Sequence, residues 1–180
     1  MTNTIESSRA EVLRKAQNRA DDLFQRVETN GLIRAGITES QLNEEIYKLA
    51  EMEFGIEKYW HKRIVRAGPN TLAPYEENPP DLTIAEDDIV FLDLGPVFEE
   101  WEADFGRTFV VGSDPVKRKL RDDIAKAFIE GKEYFRAASR HHRRGALPAR
   151  AGPGGEIWLG IRRSDRRPPI GAIHARENSG

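Results

Sequence analysis

Apolar residues recur along this chain with two different periods, and the switches between them predict its elements. From Ile5 to about Thr29 they return every three to four positions, with Leu13, Ala16, Ala20, Leu23, Phe24 and Val27 on one face. That spacing predicts an amphipathic helix, which Asn30-Gly31 closes with a left-handed cap. A second helix is predicted from Thr38, where Thr38 and Gln41 have capping-box spacing, through Leu42, Ile46, Leu49 and Ala50 to Gly55. Core packing accounts for both stripes. Tyr59 to Ala67 (YWHKRIVRA) reads as a strand that ends in the turn Gly68-Pro69-Asn70-Thr71. Glu76 to Thr83, with Pro79-Pro80, reads as a rigid loop.

The period then shortens. Asp87 to Gly95 carries Ile89, Val90, Phe91, Leu92 and Leu94, and Phe105 to Val111 has the same β-branched and aromatic character. The acidic FEEWE between them is a polar turn, so the pair is predicted to be a β-hairpin. A third helix follows, capped by Ser113 or Asp114 with Pro115 in its first turn, and it continues to about Ala138. Val116, Leu120, Ile124, Ala127 and Phe128 form its expected buried stripe, and Lys117, Arg118, Lys119, Arg121 and Lys126 a solvated face.

Composition changes this picture only near the end. The chain has 180 residues, a net charge of −2 and no cysteine. One domain is expected, without disulfides or thiolate zinc sites, and a reducing compartment suits it. Met1 to Glu28 is too polar for a signal peptide, and no apolar run approaches the roughly 20 residues that span a bilayer. A soluble, cytoplasmic protein with no membrane partner is expected. From Arg140 to Gly180 there are nine arginines and no lysine, against eight lysines before it, and three of the four histidines fall there. Three readings of this segment stand side by side: a disordered arginine-rich arm for a polyanion such as RNA, a metal site using His141 and His142, and out-of-frame translation of a GC-rich gene. The last is preferred, so a nucleic-acid partner is not expected.

The candidate chemistry lies in the hairpin. With the turn centred on Phe98 and Glu99, Asp93 is set opposite Asp104 on one face, with Cβ atoms roughly 4.5–5.5 Å apart. Facing carboxylates repel, and a proton or a cation relieves them. A divalent metal is well suited, because carboxylate oxygens are hard ligands. On spacing alone, two acids eleven apart are more often two solvated surface charges.

DLGPVF followed by WEADFGRTFVVG, within Asp87 to Gly112, closely resembles the first half of the metal-binding core of the creatinase/aminopeptidase, or pita-bread, metallopeptidases. Methionine aminopeptidases, aminopeptidase P and Xaa-Pro dipeptidases belong to that family. The resemblance implies that Asp93 ligates one metal and that Asp104 bridges two. It implies an α/β fold of the α+β type, here a partial pita-bread fold with a curved antiparallel sheet and covering helices. Gly68-Pro69-Asn70 resembles the family's Gly-x-Asn strand end beside the substrate. The family's histidine five residues further on is Tyr75 here, which leaves substrate preference open while keeping a hydrogen-bond donor. His61, in the preceding strand, is the second candidate for the pocket wall, although a lone strand histidine is more often packed or on the surface.

What the resemblance implies for activity is metal-dependent cleavage of Xaa-Pro peptides by an aminopeptidase or dipeptidase, with two divalent ions (Mn, Co, Zn or Fe) on two Asp, one His and two Glu. This chain offers only Asp93 and Asp104 in matching context. Codons for Arg140 to Leu147 exist that read DITGAEL when shifted by one nucleotide, and the same shift over Gly154 to Pro169 yields GWEFGGQIAGHL. The second resembles the family's Gly-His segment. Residues 1–139 are therefore expected to be the N-terminal part of the metallopeptidase domain, and 140–180 a disordered tail outside it. An inactive chain is expected, with a binding-module role as the alternative. Its sheet, cut midway, should expose an edge and an apolar face that a partner or a homodimer would cover.

Overall fold

The computed structural model describes residues 2–142 together with 162–163. Helix α1 (Thr2–Thr29) and helix α2 (Glu39–Phe54) come first. Strand β1 (Ile64–Ala67), a short 3-10 helix (Gly68–Leu72) and strand β2 (Ile89–Leu94) follow. Strands β3 (Val97–Phe98), β4 (Trp101–Glu102) and β5 (Phe105–Val110) then lead to helix α3 (Pro115–His142), and β6 is Arg162–Arg163.

The caps form as the residue pattern predicts. Thr38 Oγ1 accepts from Gln41 N at 3.1 Å, and Gln41 Oε1 accepts from Thr38 N at 2.9 Å. Gly31 (φ 64°) and Gly55 (φ 65°) end the first two helices in the left-handed region, which glycine enters without a Cβ clash. For α3, Asp114 rather than Ser113 is the cap, with its Oδ1 accepting from Val116 N and Lys117 N at 2.8 and 3.0 Å.

The main sheet is antiparallel in the order β1-β2-β5. Its strands alternate between two faces. Val90, Leu92 and Leu94 of β2 point to one face with Phe105 and Phe109 of β5, and all five are buried. Ala16, Ala20, Leu23, Phe24 and Val27 of α1 and Leu42, Ile46, Leu49 and Ala50 of α2 complete that core. Phe24 lies 6.1 Å from Phe105 and 6.5 Å from Phe109, ring centre to ring centre. The opposite face, with Ile89, Phe91, Asp93, Thr108 and Val110, is half-exposed.

Three expectations need correction. The strand expected over Tyr59–Ala67 is paired only at Tyr59, which bridges Pro96, and over Ile64–Ala67, where Ile64 pairs with Asp93. Five residue steps thus face three, and two residues of the Trp60–Arg63 segment loop out. The hairpin turns at Glu99-Glu100, not Phe98-Glu99, because Phe98 pairs with Trp101 and Glu99 takes φ 58°. Asp93 consequently pairs with Gly106 and not with Asp104. Third, the α3 stripe is not buried: Val116 is 74% exposed, Leu120 48% and Ile124 43%. Helix α3 packs on β5, yet of this stripe only Phe128 is half-buried.

α3 runs through Arg140–His142, beyond its expected end. Arg162–Arg163 pairs with Glu102 and Trp101 in a small sheet ordered β3-β4-β6. Residues 143–161 and 164–180, on which the expected disorder, the shifted frame and His174 fall, lie outside the described residues.

Candidate metal centre

Asp93 stands one residue before the end of β2, on the face turned away from α1 and α2. Asp104 immediately precedes β5. The true register is displaced by two residues from the expected one, and a displacement of two preserves the side-chain face. The two carboxylates therefore still converge, as diagonal rather than direct neighbours. His61 arrives from the looped-out segment that precedes β1. One ligand atom each from His61, Asp93 and Asp104 lies within 4.8 Å of the others. His61 Nε2 is 3.7 Å from Asp93 Oδ1 and 3.8 Å from Asp104 Oδ1.

The ring of His61 is held from several sides. Its Nδ1 is 2.7 Å from the Lys62 carbonyl, an acceptor only, so Nδ1 carries a proton and Nε2 faces the carboxylates. Trp60 meets it edge-on at 4.5 Å and anchors itself by donating from Nε1 to the Ala103 carbonyl at 3.0 Å. Beneath lies Gly95. A Cβ there would stand 2.5 Å from His61 Cδ2 and 2.7 Å from Trp60 Cδ1. The glycine after Asp93-Leu94 is thus required by close approach of two rings to the backbone.

Tyr75 flanks the cluster, with its ring 6.2 Å from that of His61. Its hydroxyl accepts from Lys62 N at 3.2 Å, and Lys62 Nζ lies 5.0 Å from its ring centre. The loop carrying it is clamped by the buried Arg66 guanidinium, which donates to the carbonyls of Ala73, Pro74 and Glu77. Behind it, the buried Glu39 carboxylate accepts from Ala67 N at 2.5 Å, Asn70 Nδ2 at 2.9 Å and Leu82 N at 3.3 Å. Asn70 of the Gly-x-Asn turn therefore braces the fold, and its side chain is spent on Glu39 and the Pro80 carbonyl.

The electrostatics follow from this crowding. Burial pushes the Asp93 carboxyl above its ordinary range, and the charge of Asp104 adds to the shift while His61 opposes it. Burial disfavours the charged form of His61, yet Asp104, the Lys62 carbonyl and the charge of Asp93 together hold its pKa above the usual value. The place between these three groups calls for positive charge. An imidazole nitrogen and two carboxylates on a half-open face form a donor set that fits a divalent cation.

All four residues singled out in the sequence are thus brought into one neighbourhood. Sequence reasoning missed Trp60, Gly95, Lys62 and Arg66, which position them. The one available signal was the glycine of Asp-x-Gly, whose need only a three-dimensional neighbour reveals. A separate polar cleft, lined by Asn43, Arg63, Arg66 and Asp81 among others, lies beside α2.

An antiparallel sheet with covering helices thus carries a His/Asp/Asp group at its strand ends. The chain matches metallopeptidase family M24 over residues 11–152, and it belongs to that family. No curated protein matches it. Among solved structures it is similar to the recombinant prolidase of Thermococcus sibiricus (28% identity, TM-score 0.57), covering 67% of this chain and 32% of that one. The prolidase of Pyrococcus horikoshii OT3 gives 25% identity and TM-score 0.55, covering 69% and 34%. The prolidase of Pyrococcus furiosus gives 27% and 0.55, covering 66% and 34%. The fold is a partial pita-bread fold of the Xaa-Pro peptidase family, and the chain spans about a third of the length of these prolidases. The family binds divalent metals. No described helix is long and apolar enough to cross a membrane.

Proposed function

We propose that this chain is the first, ligand-bearing part of a Xaa-Pro-type metallopeptidase domain and that the 180-residue polypeptide does not by itself hydrolyse peptides. The observation that carries this is the convergence of Asp93 and Asp104 beside His61 on the uncovered face of a sheet that matches the prolidases. Asp93 and Asp104 are the residues that would hold the divalent metal. Manganese, cobalt, zinc or iron supplies polarisation of the scissile carbonyl and activation of water when bound. Tyr75 and His61 wall the site on the side where a peptide enters, and the Tyr75 hydroxyl is a donor for a substrate carbonyl. Trp60 and Gly95 fix the rings, and Arg66 fixes the loop.

Inactivity follows from ligand count. Two carboxylates and one imidazole supply three donors, whereas two ions in the family take five. Among the described residues no second His/Asp/Glu group is available to add to them. The tail from residue 140 is of different origin and contributes none, a reading supported by its loss of lysine; the family match itself extends to residue 152. The peptide partner belongs to the whole domain, and a cytoplasmic location accords with the absence of cysteine.

The test is a peptidase assay on Xaa-Pro dipeptides and longer Xaa-Pro peptides with added Mn2+ or Co2+, alongside metal analysis. The 180-residue chain is expected to give no cleavage, and a protein with the frame restored after Ser139 is expected to cleave. Turnover by the unaltered chain would refute inactivity. A restored protein that takes up two ions yet leaves Xaa-Pro bonds intact would refute the substrate class.

A further inference from the structure

We propose that His61 is a third metal donor, so that this chain holds a complete single-ion site of its own, of the mixed nitrogen and oxygen kind. The inference rests on the reading that Asp93 and Asp104 bind metal, and it goes beyond a wall-lining role for His61.

Four observations carry it. The Nδ1 contact to the Lys62 carbonyl at 2.7 Å leaves Nε2 as the only ring nitrogen free to ligate, and Nε2 is the atom nearest both carboxylates. A backbone carbonyl on the far nitrogen is the usual device that orients a ligating imidazole. At 3.7 and 3.8 Å, Nε2 stands in ion-pair range of both carboxylates but beyond hydrogen-bond length of either, so it faces them jointly and is locked onto neither. Finally, no Lys or Arg among the described residues pairs with Asp93 or Asp104; Lys62 Nζ is taken by the Tyr75 carbonyl at 2.8 Å and Asn78 Oδ1 at 3.0 Å. The ring is also pre-set: its side chain is 10% exposed, wedged against Trp60 and over Gly95. An imidazole with two carboxylates selects a transition ion such as zinc or cobalt over magnesium or calcium, which favour all-oxygen shells.

The experiment is titration of the full chain with Co2+ and Zn2+, in competition with Mg2+ and Ca2+. His141, His142 and His174 are replaced by Gln so that only one histidine remains. Proton NMR of the cobalt-loaded protein is expected to show one strongly shifted, solvent-exchangeable imidazole N–H resonance, from Nδ1–H of His61. His61→Gln is expected to abolish that resonance and to weaken Co2+ binding at least about tenfold, the scale seen even for lost supporting contacts. Asp93→Asn is expected to abolish binding. Equal affinity in His61→Gln, with Asp93→Asn inert, would overturn the role of His61 while leaving the two-carboxylate reading intact. A cobalt-loaded parent without the shifted resonance would overturn it whatever the variants do. Failure of the parent to bind either ion would overturn both.

Discussion

Helices α1 and α3 are each 28 residues long, and each carries an apolar stripe. In α1 that stripe is sealed: Ala20, Leu23, Phe24 and Val27 are 0% exposed, beneath the sheet and beside α2. In α3 Ile129 is 55% exposed, Tyr134 52% and Phe135 71%. Periodicity therefore reports that a helix has a face to bury, while the partner for that face comes from elsewhere. The same contrast divides the sheet. One face is packed on two helices, and the other, which bears Asp93, stands half-open.

Substitutions sharpen this contrast. Phe24→Ala is expected to cost about 3–5 kcal/mol by urea unfolding, because a ring packed between Phe105 and Phe109 leaves a cavity. An equally deep truncation on the other helix, Leu120→Ala or Ile124→Ala, should stay within about 0.5 kcal/mol. A cost above about 2 kcal/mol there would mean that the stripe is covered in solution, as a homodimer would cover it. Gly95→Ala ranks next, at about 1–3 kcal/mol, with weakened Co2+ binding, since His61 and Trp60 must move off the added methyl.

Thr38→Ala removes the cap of α2 and should cost about 1 kcal/mol in the same measurement. The smallest effect at neutral pH is expected at Tyr59, whose buried hydroxyl has no hydrogen-bond partner and whose pKa burial pushes up to about 12. Its folded value lies above the unfolded one, so its contribution is full below pH about 10 and is lost as pH rises towards 12. Tyr59→Phe should leave the neutral midpoint nearly unchanged and reduce the alkaline fall in stability. An unchanged alkaline limb would assign that fall to other groups.

Much of this was legible beforehand. The α1 stripe, the Thr38/Gln41 capping box and the strand assignments for β2 and β5 follow from local spacing, which the fold honours. The convergence of Asp93 and Asp104 survived an error in the turn, because a two-residue slip keeps parity. The position of His61 was not legible. It depends on two residues looping out between Tyr59 and Ile64, a mismatch between separate strands that no single segment encodes. The exposure of α3 was equally hidden, since burial belongs to the neighbour as much as to the helix.

Glu39 carries one more consequence. Its two oxygens accept from groups 28, 31 and 43 positions away, on β1, the 3-10 helix and the proline-rich loop. Contacts of such separation close only after the intervening chain is already arranged, so this latch should fasten late in folding. Glu39→Gln should then speed unfolding and leave the refolding rate almost untouched, which stopped-flow chevrons would read directly. The loop that presents Tyr75 would be the first part to let go, which makes loop release a kinetic gate on the shape of the site.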